Sequence, residues 1–190
     1  MDEAVAKRLI QHANATPASI YGRRGKTHLR SRIGGYNFAA RHAPWLVLVD
    51  LHGDECPPAL RAAWLPNPSP LMCLRVAVRA VEAWLLADRQ RLARLLSVSV
   101  SRVPTNPEEL LDPKAVIVAL ANTSRRTDIR RDMVPRPASG RSEGPAYTSR
   151  LIEFVKDSTT GWDPDAAAAL APSLARCLTS LRELVAANLA

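Results

Sequence analysis

The 190-residue sequence predicts an α/β fold: an open, mostly parallel sheet with flanking helices over residues 1–100, and a mainly helical portion packed on it over 101–190. Three observations carry this expectation. Trp45 to Val49 is an unbroken apolar run ended by Asp50, the pattern of a strand covered on both faces. Met72 to Val78 alternates with period two, then gives way to helical spacing at Val81, Leu85, Leu92 and Leu95. Strands alternating with helices in this way point to an open α/β sheet, followed by a mostly helical C-terminal half.

Each element has its own signature. Asp2 to Ala13 puts Ala4, Val5, Leu9 and Ile10 near one face of a short helix. Ser19 to Tyr21 is expected as a short strand, and His28 to Ala40 as a helix weakened by Gly34-Gly35. Pro58 to Leu65 reads as a brief helix, and the proline-rich run from Pro66 to Pro70 as a loop. After the strand at 72–78, Ala80 to Leu96 is expected as one long helix, although a single helix over the whole stretch would explain the same letters. Asp112-Pro113-Lys114 opens a further helix, with Asp as N-cap and Pro in the first helical position. Asn122 to Ala146 scatters arginines among prolines and glycines and predicts a long basic loop. Tyr147 to Lys156 and Ser173 to Ala187 close the chain as helices, the second with Leu174, Leu178, Leu181 and Val185 on one face. Trp64 and Trp84 are expected in the core.

The charge is lopsided, with 26 Lys and Arg against 18 Asp and Glu, a formal net of +8. Arginine supplies most of the positive charge, and its planar fork grips two phosphate oxygens at once. Nucleic acid is therefore the expected partner, although a GC-rich coding bias toward Ala, Pro and Arg would give the same composition. The candidate contacts are Arg23, Arg24 and Lys26 in the first basic turn, and Arg125, Arg126, Arg130 and Arg131 in the basic loop. The three cysteines are odd in number and lack any C-x-x-C spacing, which argues against a disulfide framework or a zinc site and fits a reducing cytoplasm. The longest strongly apolar run falls far short of the roughly 20 residues a membrane span needs, so no membrane association is expected. Gly22-x-x-Gly25-Lys26-Thr27 imitates a nucleotide-binding P-loop but has two residues between its glycines where four are required, with Ile20 in the first glycine position.

The chemistry concentrates around Asp50. In parallel sheets, ligands bind outside the carboxyl ends of the strands, and Asp50, His52, Asp54 and Glu55 crowd into six residues there. Grouped carboxylates suit a divalent cation such as Mg²⁺, which bridges one or two of them to substrate phosphate; a solvated acidic turn explains the same letters. If Met72 to Val78 is a parallel strand, Glu82 emerges on the same edge as Asp50. The competing explanation is an ion pair with Arg79, three residues earlier on the helix.

These segments resemble a TOPRIM-like family related to the nucleases of overcoming-lysogenization-defect proteins, often paired with ATPases in bacterial phage-defence loci. The resemblance rests on Val47 to Leu51 with Cys56-Pro57-Pro58 beyond, Arg75 to Arg79, Glu82 to Asp88, Asp112-Pro113-Lys114 and Ser173-Leu174, taken in order over about residues 3 to 185. It implies a metal-dependent nuclease with Asp50, Glu82 and Lys114 as catalytic residues and an ATPase as protein partner. It also implies metal ligation by Asp50 with His52 and Asp54. In two places the chain departs from the family pattern. His52 stands where the family has an acid, which favours Mn²⁺ over Mg²⁺ because imidazole is a poor Mg²⁺ ligand. The family also has a first strand ending in glutamate, which is expected before Met1 or lost. The alternative function is a non-catalytic nucleic-acid-binding or regulatory subunit of an ATPase.

Overall fold

Two parallel strands lie at the centre of the described chain, which in this computed structural model comprises residues 1–22, 25–51 and 56–189. In chain order the elements are α1 (Asp2–His12), α2 (Lys26–Ala39), β1 (Trp45–Asp50), α3 (Pro57–Trp64) and β2 (Met72–Ala77). Then follow α4 (Val81–Ala87), α5 (Arg89–Leu96), α6 (Pro113–Asn122), α7 (Thr127–Met133), α8 (Tyr147–Lys156), α9 (Pro164–Ala168) and α10 (Pro172–Leu189). Short 3-10 turns at Val100–Arg102 and Pro107–Glu109 join α5 to α6.

β1 and β2 pair in parallel register, Trp45 opposite Met72 and Asp50 opposite Ala77. Alternation along the strands sorts their side chains onto two faces. Val47, Val49, Leu74 and Val76 meet Ile33 of α2 and Leu60 and Trp64 of α3 in a small cluster. Leu46, Leu48, Cys73 and Ala77 face the other way, into a large cluster that joins α1, α4 and α5 to α6, α8 and α10. That core holds residues from Ala4 to Leu181, so the two halves of the chain share it. No described helix is long and apolar enough to cross a membrane.

Three local expectations are corrected, and one element was not expected. Ser19 to Tyr21 is not a strand; these residues pair with neither β1 nor β2. The helix expected over 80–96 begins at Val81 and is broken at Asp88. The Asp88 carboxylate accepts from the amides of Arg91 (3.3 Å) and Asp163 (2.9 Å), so it ends α4, caps α5 and ties both to the C-terminal region. The basic stretch from Asn122 to Ala146 contains α7, whose acids are gripped from α8: Arg150 lies 2.6 Å from Asp132 and 3.3 Å from Asp128. The short helix α9, capped by Asp163 with Pro164 at its first position, was not anticipated at all.

Both tryptophans expected in the core are there. Trp84 is fully buried and Trp64 nearly so. The Trp84 indole N–H donates to Ser173 Oγ at 2.7 Å, the Ser173 hydroxyl donates to Glu108 Oε1 at 2.6 Å, and the Val78 amide donates to Ser173 Oγ at 3.3 Å. The Trp84 carbonyl in turn accepts from the Trp162 indole at 3.0 Å. A buried polar chain of this kind is stable only because each member has a partner.

Candidate functional site

Asp50 is the last residue of β1 and shares a face with Leu46 and Leu48, which directs it toward α1 and α4. Opposite it, β2 ends and the chain reverses through Val78-Arg79-Ala80. Arg79 takes a left-handed conformation (φ 65°), uncommon for a residue with a side chain. The turn presents the Val81 amide, at the start of α4, to Asp50 Oδ1 at 3.1 Å.

Glu82 follows at the second position of α4 and is only 5% exposed. The parallel pairing thus brings Asp50 and Glu82 to one sheet edge, as the alternation of residues 72–78 implied. The Glu82 carboxylate acts on Asp50. Burial, the Asp2 carboxylate and Glu82 together push the Asp50 carboxyl up to about 7, against the pull of the Val81 N–H and the Lys26 ammonium. Burial also raises Glu82, aided by Asp2 and opposed by Lys114.

Lys114 occupies the second position of α6, placed there by the cap that Asp112 makes to the Ala115 amide at 2.9 Å. Its ammonium stands 3.8 Å from Glu143 and 5.9 Å from the centre of the Tyr147 ring. Tyr147 opens α8, is 2% exposed, and its hydroxyl has no hydrogen-bond partner. Burial and the nearby carboxylates of Glu82, Glu143 and Asp112 hold that phenol well above its ordinary range.

The centre therefore gathers Asp50, Glu82, Lys114 and Lys26, which the sequence singled out, with Asp2 and Tyr147, which it did not. Asp2 looked like an ordinary acidic residue in a first helical turn, and nothing in its spacing ties it to a strand end 48 residues later. Tyr147 read as the start of a helix; its contact with Lys114 is purely tertiary.

His52 and Asp54, the other expected metal ligands, lie outside the described residues, as do Arg23 and Arg24. Among the described residues, no group of three or more His, Cys, Asp or Glu side chains is arranged to hold a metal ion. This donor set still fits a hard cation, because Mg²⁺ is ordinarily held by one or two carboxylates, with water and substrate phosphate filling the remaining positions. Asp50 and Glu82 meet that requirement: they are two carboxylates at one sheet edge, and the charge of Glu82 disfavours ionisation of Asp50.

The arginines expected to touch nucleic acid at 125–131 are partly engaged. Arg126 donates to Asp128 at 3.0 Å, Arg131 to Asp132 at 3.0 Å, and Arg130 to the Ser124 carbonyl, while Arg125 stands exposed. Compared with known proteins, the chain matches no family model, no curated protein and no solved structure.

Proposed function

We propose that this chain is a TOPRIM-like, divalent-metal-dependent nuclease domain acting on the phosphodiester backbone of nucleic acid, with Asp50 at its centre. The observation that carries the reading is the placement of Asp50 and buried Glu82 together at the carboxyl edge of a parallel strand pair, with Lys26 and Lys114 close by. Two clustered carboxylates would hold Mg²⁺ or Mn²⁺, which supplies an activated water and charge neutralisation at the phosphate. Lys114 and Lys26 provide the positive field that receives the phosphate. The Val81 amide orients one oxygen of the Asp50 carboxylate. The net charge of +8 favours a polyanionic substrate.

Plasmid nicking tests the proposal. The wild-type chain is expected to cleave with Mn²⁺ more than with Mg²⁺, because His52 stands in place of an acid, and Asp50→Ala is expected to abolish cleavage. His52→Asp should restore use of Mg²⁺. Equal cleavage by wild type and Asp50→Ala would refute the site. A second reading, a regulatory subunit that binds nucleic acid and works with an ATPase, is favoured by His52 standing where the family has an acid. It predicts no cleavage by any form while binding persists and weakens steeply with salt.

A further inference from the structure

A cluster of three aromatic rings sits at the end of β1 opposite Asp50. Trp45, the first residue of the strand, stacks on Tyr36 of α2 (centroids 5.1 Å apart, planes 19°) and on Tyr21 (5.4 Å, 27°). Tyr21 and Tyr36 approach to 6.2 Å. The cluster is not sealed: Tyr21 is 59% exposed, among the most exposed large apolar side chains described. The Tyr21 ring thus stacks on Trp45 while most of it stays open to solvent.

Helix α2 runs from the carboxylate site to this cluster. Lys26, at its start, acts on Asp50, and Tyr36, three turns later, lies on Trp45. The span from 26 to 36 is about 15 Å at 1.5 Å per residue. Arg30 and Arg32, both exposed, lie between. The charge of the whole segment is one-sided: between Glu3 and Asp50 the sequence has eight Lys and Arg and no Asp or Glu. A polyanion is the partner such a surface selects, and an open aromatic ring in it selects a polyanion with unpaired bases. Base-on-aromatic stacking combined with a cationic track is how non-specific single-strand binders work.

We infer that the substrate is single-stranded nucleic acid, with a base stacked on Tyr21 and the backbone led along α2 toward Asp50. This assignment rests on the nuclease or nucleic-acid-binding reading above and narrows it. Duplex cannot use the ring, because its bases are already stacked and paired; it can meet only the charges.

The test is fluorescence anisotropy in EDTA with three labelled probes: a 15-nucleotide oligo(dT), the equivalent oligo(rU), and a 15-base-pair DNA duplex. Wild type is expected to bind at least one of the single strands. Tyr21→Ala should weaken that binding about 5- to 150-fold, the equivalent of about 1–3 kcal/mol for one stacked base, and leave duplex affinity unchanged. Tyr21→Phe should bind like wild type and Tyr21→Leu like Tyr21→Ala, since the ring and not its apolar area is required. Unchanged single-strand affinity in Tyr21→Ala overturns the inference, and so does an equal loss for single strand and duplex. The two single-strand arms decide between DNA and RNA; failure of wild type to bind either also overturns it. Because EDTA removes divalent metal, these results are separable from the nuclease proposal. Loss of nicking in Asp50→Ala with Tyr21-dependent binding intact supports both, whereas Tyr21-independent binding with metal-dependent nicking sinks only the single-strand assignment.

Discussion

Asp50→Asn is expected to make the protein more stable at pH 7.5, not less, and to remove its response to divalent metal. The cause is the carboxyl of Asp50, raised from 3.8 to about 7, chiefly by burial. Below about pH 4 this group is protonated in both folded and unfolded chains and costs nothing. As pH rises from about 4 to 7, the unfolded chain ionises first and stability falls; above 7 the full cost is present. At about 1.4 kcal/mol per tenfold change in proton affinity, the loss reaches as much as ~4 kcal/mol. The neutral amide of Asn keeps an acceptor for the Val81 N–H and escapes the penalty. For a chain of this size each kcal/mol moves Tm by about 2–4 °C. Differential scanning fluorimetry from pH 4 to 8 should therefore show a declining wild-type Tm and a flatter profile for Asp50→Asn. Adding Mn²⁺ at pH 7.5 should raise Tm in the wild type by neutralising Asp50 and Glu82, and have no such effect on the variant. Superimposable pH profiles for the two proteins would mean that Asp50 is not held in this environment.

The second large effect is expected at Trp84. This side chain is wholly buried, and its indole is one link in the chain Val78–Ser173–Glu108 that fastens the end of β2 and α4 to α10. Trp84→Ala removes packing worth about 3–5 kcal/mol and takes away one of the two donors to Ser173 Oγ. Against a typical total of about 5–15 kcal/mol, that brings the fold close to collapse. Trp84→Phe keeps most of the volume and loses only the N–H, for about 1–2 kcal/mol. Ser173→Ala strands two donors, the Trp84 indole and the Val78 amide, while Glu108 keeps its bond from the backbone amide of residue 173, and it should fall between them. Urea unfolding gives the order directly; a Trp84→Phe as damaging as Trp84→Ala would show that the hydrogen bond, and not the packing, dominates.

How much of this was legible in the sequence depends on the range of the interaction responsible. β1 was readable because its apolar run is covered on both faces. β2 was readable from alternation, and α6 from the adjacent Asp112 and Pro113, all within a few residues. The break at Asp88 was not. Its neighbours favour helix, and the interruption comes from the amide of Asp163, 75 residues later. The same holds for α7, held through Asp128 and Asp132 by Arg150, where composition alone suggested a loop. α9 carried a local signal, Asp163-Pro164, identical in kind to that of α6, but five residues give no periodicity to read. Ser19 to Tyr21 had strand-forming residues and no partner strand; Tyr21 found an aromatic neighbour instead. At the site, Asp50 and Glu82 were found because strand geometry projects them to one edge. Asp2 and Tyr147 reach that edge by helix packing, which leaves no mark in spacing.

The two faces of the sheet are covered unequally, and this has a consequence for hydrogen exchange. Beneath α2 and α3 lie nine buried residues, and α2 contributes only Ile33 of them. The opposite face belongs to a cluster that runs through most of the other helices. Cooperative opening follows the amount of buried apolar contact, so α2 and α3 form the weaker unit and should release their amide protons first. The amides of α4, α6 and α8 should exchange only with global unfolding. The basic helix α2 is then the part of the molecule that opens at least cost, while Asp50 and Glu82 at its foot remain anchored to the slowest-exchanging core.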